Sequence, residues 1–534
     1  MRNLELPGRS PAHGLHGMAA TSHTLSTATA VDVLRAGGNA LDAAIAACAV
    51  QCVVEPGSTG IGGDCFCLYA PGASAGGATG IIGFNGSGKA PTGATTDWFA
   101  GQGIGELERQ SPHAVVVPGA VDAWCRLNAD HGTVPLSELL APAIEYARDG
   151  YPVSSRVSAD WAAAVPLMKA EPTLARIFLA QGRPPRVGER HRQPELARTL
   201  QAIADGGRDA FYEGEIARDM VDYLRGLGGL HTMEDFAAVK GDYVQPISAE
   251  FRGHRVWECP PNGQGVIALL LLNIMAEVEP GNQPITVARM HAEIEACRLA
   301  YAARNEYLCD PAFAEMDVEA LLSHDYARRL RSRIDPHRAA DPMPEPAAVR
   351  HHDTVYISVV DKDRNACSFI NTLFHGWGAG LCAPKSGVVF TNRAQGFSLD
   401  PASPNRIEPG KRPRHTIIPG MVSKDDRVVM SFGVMGGEYQ AMGHMQFLTR
   451  MFDYGLDIQE AQDLPRFMPD PFDGEVEVES TVPEPLRAEL AGMGHRIVPA
   501  AKPIGGSQAI WIDHDEGVLT GGSDPRKDGC ALGY

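Results

Sequence analysis

No stretch of this 534-residue chain is apolar for long enough to cross a bilayer: the longest run, Ile267 to Met275, falls well short of the roughly 20 residues a spanning helix needs. The first eight residues, Met1 to Gly8, lack the apolar centre of a secretory signal, and a cytoplasmic location is expected. Basic residues are in the minority. Against 65 Asp and Glu stand 47 Lys and Arg, a formal charge of −18, so neither nucleic acid nor an anionic membrane is expected as a partner. The eleven cysteines form no disulfide pattern, being odd in number and scattered. Only Cys48 with Cys52 and Cys65 with Cys67 lie close together, and with no second His or Cys cluster at ligand spacing they read as core residues rather than metal or redox groups. At 44% hydrophobic and 21% charged, the chain is of ordinary globular composition, and a small molecule is the default partner.

Helical texture runs from Ser22 to Val54, broken at Gly37-Gly38, and leads into the glycine-rich segment Pro56–Gly63 and a strand at Cys65–Tyr69. That segment has neither the Lys-Ser/Thr ending of a P-loop nor dinucleotide-fingerprint spacing, and it reads as tight backbone packing. From about 115 to 240 the pattern is one of successive helices, Leu136–Asp149 and Pro194–Ala204 among them. A strand pair follows at Ile247–Cys259, then helices from Val266 and over Met290–Tyr307. Residues 334–353, rich in Pro and polar side chains, read as an exposed, mobile linker. Beyond them the pattern turns to short β runs at 355–360, 366–371, 387–391, 428–432 and 509–513, with one longer helix at Gln440–Tyr454. So much strand needs sheet partners from the first part of the chain, which implies two chain pieces sharing one fold.

Thr354 stands where the linker meets the first of those strands. A threonine hydroxyl is a weak nucleophile, but a cut after Asp353 would give Thr354 a free α-amine able to take its proton. A second hydroxyl, Thr372, ends the next run, and Gly436-Gly437 has the adjacent glycines that let two backbone N–H groups converge on an oxyanion. A helix N-terminus before Gln440 accounts for the same glycines, and both readings can hold together. His351-His352 invites a metal, but neighbouring side chains on an extended segment point apart, so none is expected.

In order along the chain, Gly60–Gly63, Val117–Val121, Ala143–Tyr151, Leu299–Tyr307, Ser358–Asp363, Gly410–Pro413 and Gly522–Arg526 together resemble the γ-glutamyltranspeptidase family of N-terminal-nucleophile hydrolases. The resemblance implies an α+β fold, a four-layer αββα sandwich shared by two autocleavage products, 1–353 and 354–534, that stay together as an α/β heterodimer. It further implies Thr354 as nucleophile and base, Thr372 as its orienting partner, and Gly436 and Gly437 as oxyanion donors, with no cofactor.

The resemblance also shows where this chain departs from the transpeptidases. Their γ-glutamyl-binding arginine falls on Ser87, an asparagine on Phe374, an aspartate on Gly396, and a serine pair on His415-Thr416. Losing charge-assisted bonds worth about 1.5–3 kcal/mol each makes glutathione a poor substrate. The segments Asn392-Arg393, Phe397–Pro401 and Pro409–Pro413 look instead like the acylase branch, which includes oxamate amidohydrolase and cephalosporin acylases. Arg393 is the expected partner of a substrate carboxylate, with a structural ion pair as the alternative. Arg414, His415 and Thr416 are expected to line the pocket, and Phe374, Trp377 and Tyr439 form either its apolar wall or part of the core. The function expected is hydrolysis of a small carboxylate-bearing amide. The alternatives are a γ-glutamyl hydrolase or transferase and an uncut, inactive binding protein.

Overall fold

The strands around Thr354 are apolar at nearly every position because both of their faces are buried. In the computed structural model, which describes residues 8–72, 80–340, 354–471 and 474–534, Val355–Val360 alternates strictly. Tyr356 and Val360 enter a core between two sheets, with Phe66, Leu68, Ile370, Met421 and Ile510. Ile357 and Val359 turn the opposite way, into the core beneath the helix Ala40–Val54. Polar groups on the inner face find partners across the gap: Ser358 Oγ donates to the Ser431 carbonyl at 3.1 Å, and the Tyr356 and Ser368 hydroxyls lie 2.7 Å apart.

Each of the two facing sheets has seven antiparallel strands. One runs, edge to edge, through Ala12–Gly14, Val518–Ser523, Gly506–Asp513, Arg427–Met435, Gly420–Lys424, His254–Glu258 and Ile247–Phe251. The other runs through Cys530–Gly533, Met18–Thr21, Val355–Val360, Ala366–Thr372, Asp64–Ala70, Ile82–Gly86 and Asp242–Val244. Ala40–Val54 covers the second sheet, while Gly265–Ala276 and Tyr439–Tyr454 cover the first, completing the αββα sandwich expected from the sequence. All fifteen residues of Ala40–Val54 are buried, since Leu136–Asp149 packs on its outer side. Both sheets mix strands from before and after residue 354. Among the described residues, no helix is long and apolar enough to cross a membrane.

Two sequence expectations change. Residues 387–391 make no strand but two isolated bridges, Cys382 to Val389 and Gly62 to Phe390, because this loop presses its backbone against the glycine-rich segment instead of a ladder. Residues 334–340, expected to be exposed linker, are held to the body of the protein. Ile334 and Ala339 are buried, the Ala339 and Ala340 N–H groups donate to the Met493 carbonyl and to Glu295, and the Asp335 carbonyl accepts from His291 Nε2 at 2.7 Å. His351, His352 and Asp353 lie outside the described residues. The histidine contact belongs to a chain: Arg298 donates to His495 Nδ1 at 3.1 Å and His495 Nε2 to His291 Nδ1 at 2.8 Å. His291, Glu295 and His495 lie together as a metal-binding trio would, but every ring nitrogen of the pair is already hydrogen-bonded.

The segment Pro56–Gly63 packs as tightly as its composition implies. A methyl group at Gly63 would lie 2.0 Å from the Thr372 carbonyl oxygen, and one at Gly62 2.2 Å from that of Val389. Gly63→Ala is therefore expected to lower the calorimetric unfolding midpoint by several degrees, overpacking costing about 1–3 kcal/mol or more. Gly101→Ala, where a Cβ would meet nothing within 4 Å, should leave it unchanged. Equal midpoints for the two variants would show that the segment yields freely.

Candidate active site

Thr354 immediately precedes the strand Val355–Val360, and its side chain shares the inward face with Tyr356 and Ser358 by the period-2 alternation. Pairing of Val355 with Asn371 brings it beside Thr372, and the two fully buried hydroxyls lie 3.3 Å apart. The Phe374 N–H donates to Thr372 Oγ1 at 2.9 Å, a contact set by left-handed backbone at Phe374, φ 78°. From the helix that covers the facing sheet, Gln440 Nε2 donates to Thr354 Oγ1 at 3.4 Å.

Gln440 belongs to the helix Tyr439–Tyr454, and the turn before that helix is Gly436-Gly437. Both glycines have positive φ, 123° and 58°, and the Gly436 Cα sits so near Gly505 that a Cβ would meet it at 2.8 Å. Their carbonyls accept from the Tyr439 and Gln440 N–H groups, while their own N–H groups donate to nothing among the described residues. The turn is fixed from behind: Glu438 pairs with Arg304, its carbonyl accepts from the Tyr301 hydroxyl, and Gln264 Nε2 donates to the Gly437 carbonyl at 3.1 Å. An N-terminal helix end with two unengaged N–H groups is suited to a developing negative charge.

Asp64 faces Thr372 on the neighbouring strand. Its Oδ1 accepts from the Gly88 N–H at 2.7 Å, and its Oδ2 accepts from His415 Nε2 at 3.0 Å and lies 3.4 Å from Arg393 Nε. Since the Ile417 N–H donates to His415 Nδ1 at 3.3 Å, the imidazole carries its proton on Nε2. Burial, reinforced by Arg393, pushes its pKa down to about 4, so the ring is neutral at pH 7.

Arg393 is completely buried. Its guanidinium lies 3.7 Å above the Phe374 ring centroid, Nη1 donates to Thr416 Oγ1 at 3.3 Å, and Nη2 has no hydrogen-bond partner among the described residues. Burial lowers its pKa to about 9, against the pull of Asp64. Arg393 thus makes the structural ion pair that the sequence offered as the alternative to a substrate contact. Ser87 lies in the adjoining polar network, where Asn262 Nδ2 donates to Ser87 Oγ at 3.3 Å. Arg414 lines a neighbouring cavity of about 330 Å³ with Gly396 and Asn305.

Two aromatic residues go elsewhere. The Tyr439 hydroxyl donates to Gln446 at 2.6 Å, within the helix layer, and Trp377 packs against Trp161 and Phe178, so neither side chain is brought to the threonine pair. Asp64 and Gln440 were not singled out from the sequence. Asp64 had a readable signal, a lone acid opening an otherwise apolar strand, Asp64–Ala70. Gln440 had none.

An αββα sandwich with a hydroxyl-bearing residue at the start of a central strand defines an N-terminal-nucleophile hydrolase. The model of the γ-glutamyltranspeptidase family matches residues 26–534, and the chain belongs to that family, whose members hydrolyse or transfer across amide bonds. It is 36% identical over 532 residues to the glutathione hydrolase-like YwrD proenzyme of Bacillus subtilis, covering 97% of this chain and 99% of that one. The oxamate amidohydrolase proenzyme of Klebsiella pneumoniae is 32% identical over 532 residues, 97% and 98% being covered. The crystal structure of a cephalosporin acylase from Bacillus halodurans superposes with a TM-score of 0.92 at 39% identity, covering 100% of this chain and 99% of that one.

Removing Asp64's charge while keeping its shape tests the network. Asp64→Asn strands the Arg393 cation, and chemical denaturation should register a loss of about 3–5 kcal/mol, the usual cost of breaking a buried pair. A loss under 1 kcal/mol would mean that Arg393 finds compensation elsewhere. His415 can be followed by NMR. Its ring should remain neutral, protonated on Nε2, from pH 8 to pH 5, because burial and Arg393 both oppose the charged form; a midpoint near 6.5 would contradict this.

Proposed function

We propose that the chain cuts itself between Asp353 and Thr354, that 1–353 and 354–534 remain associated as a heterodimer, and that the enzyme hydrolyses the amide of a small carboxylate-bearing acyl group through an acyl-Thr354 intermediate. The freed α-amine takes the Oγ1 proton, Oγ1 attacks the amide carbonyl, and the oxyanion is received by the Gly436 and Gly437 N–H groups. Collapse of the tetrahedral species expels the amine, which leaves with the proton. Water then adds to the ester with the α-amine again as base, releasing the acid and restoring the hydroxyl. Thr372 orients the nucleophile throughout.

The observation that carries this reading is the meeting of three features at one end of the sandwich: the Thr354 hydroxyl, the Thr372 hydroxyl 3.3 Å away, and a glycine pair whose helix sends Gln440 to Thr354. Around them, Ser87, Phe374, Arg393, Arg414, His415 and Thr416 are the residues we assign to the acyl pocket, two of which carry guanidinium groups, Arg393 buried and Arg414 half-buried. Such a pocket suits an oxamate-like or dicarboxylate-derived amide, in keeping with the names of the Klebsiella amidohydrolase and the Bacillus halodurans acylase. A γ-glutamyl substrate is the second reading, favoured by the name of the B. subtilis relative. Against it stand Ser87, Phe374 and Gly396 at the positions where transpeptidases hold the glutamyl zwitterion.

Purified protein should run as two bands on a denaturing gel, Thr354→Ala as one, and Thr354→Ser again as two. A persistent single band for the wild type would remove the mechanism. Hydrolysis rates should fall on the acid side as the α-amine, ordinarily titrating near roughly 7.7–8.0, takes up its proton and ceases to act as base. Product release from oxamate, glutaryl amides and γ-glutamyl amides then decides the acyl group, and turnover confined to the last would favour the second reading.

A further inference from the structure

A Thr354 still joined to Asp353 lacks the base that serves it after the cut. Its nitrogen is then part of a peptide bond, and an amide nitrogen does not take up the hydroxyl proton as a free amine does. Some other group must make negative charge on Oγ1 tolerable at that stage. Thr372 reaches this oxygen through its hydroxyl at 3.3 Å, and Gln440 reaches it through Nε2 at 3.4 Å. A hydroxyl gives or takes a hydrogen bond, whereas an amide NH2 only gives one. The contact from Gln440 is therefore the one whose sense is fixed.

Its surroundings hold it there. Gln440 is completely buried, and its Oε1 accepts from the Ile418 N–H at 3.2 Å. Because that N–H can only donate, the two ends of the amide cannot be exchanged, and Nε2 faces the threonine. The Gln440 backbone N–H donates to the Gly437 carbonyl at 3.1 Å, the same carbonyl that Gln264 Nε2 holds. One residue thus ties the oxygen of the nucleophile to the glycine turn. Gln440 also stands in the first turn of Tyr439–Tyr454, whose positive end favours negative charge nearby.

We propose that Gln440 is a catalytic residue of the self-cleavage step, donating to Thr354 Oγ1 as its proton leaves, and that it acts again when the freed threonine attacks a substrate. In the first of these steps Oγ1 bonds to the Asp353 carbonyl carbon, the C–N bond to Thr354 breaks, and the proton lost from Oγ1 ends on the departing nitrogen. Water then adds to the ester, leaving a carboxyl group on Asp353 and the hydroxyl restored on Thr354. This deepens the Thr354 reading and rests on it.

The half-time of the cut, followed on denaturing gels after pulse-labelled cell-free synthesis of the full chain, tests the role. Gln440→Met keeps the length of the side chain and removes the donor, and it should cut at least about tenfold more slowly than the wild type; a full oxyanion donor is worth about 10²–10³, and this contact is longer. Placed in a Thr354→Cys background, the same substitution should change the half-time less than about threefold, because a thiol ionises far more readily than a hydroxyl and needs less help. Damage to the fold would slow both backgrounds alike, so the comparison separates lost chemistry from lost structure. Equal slowing in the two backgrounds, no slowing with threonine, or a Thr354→Cys chain that does not cut would overturn the assignment and leave the Thr354 mechanism in place. A wild type that never cuts would overturn both.

Discussion

A carboxylate removed from water must have its lone pairs occupied by donors, and at Asp64 that requirement organises one end of the sandwich. Gly88, His415 and Arg393 come from three separate segments to meet it, and the strand that carries it lies directly beside Thr372. Each partner then fixes something further. The Nε2 proton given to Asp64 leaves His415 Nδ1 to accept from Ile417, and the guanidinium drawn toward Asp64 lies flat on Phe374, whose N–H holds the Thr372 hydroxyl. A buried cation over an aromatic face gains about 2 kcal/mol when desolvated. The position of one hydroxyl next to the nucleophile candidate therefore traces back to one acid.

The second constraint is the pairing of strands across the two sheets. Because Val355–Val360 is buried by a sheet on one side and a helix on the other, the parity of Thr354 is decided by Tyr356 and Ile357, which cannot exchange faces. The same parity at Ala366–Thr372 puts Thr372 on the inner face. The candidate nucleophile at a strand end is thus placed by ordinary core packing two and three residues further along.

Much of this was legible in the sequence, and the reasons are specific. Leu136–Asp149 and the strand at Thr354 follow from strong periodicity bounded by Gly and Pro, and their observed limits agree. Thr372 and the glycine pair could be named because their chemistry is tied to residue type. What failed depended on distant partners. Residues 387–391 have strand composition but lose their ladder to the close backbone contact with Gly62, and residues 334–340 look like linker until the hydrogen bonds to His291, Glu295 and Met493 are known. Nor does a sequence show that Arg393 already has an acid in Asp64, since a charge count needs to know which groups share a space.

The interleaving of strands has a bearing on what a cut before Thr354 does to the molecule. Met18–Thr21 is clasped between Cys530–Gly533 and Val355–Val360, and Gly420–Lys424 between His254–Glu258 and Arg427–Met435. Pulling the two pieces apart would tear ladders in both sheets and expose all three layers of core at once. Dissociation and unfolding are then a single event, so a nicked molecule should keep its integrity on dilution as a single chain does. A chain terminus at Thr354 would then be gained without creating an equilibrium between subunits.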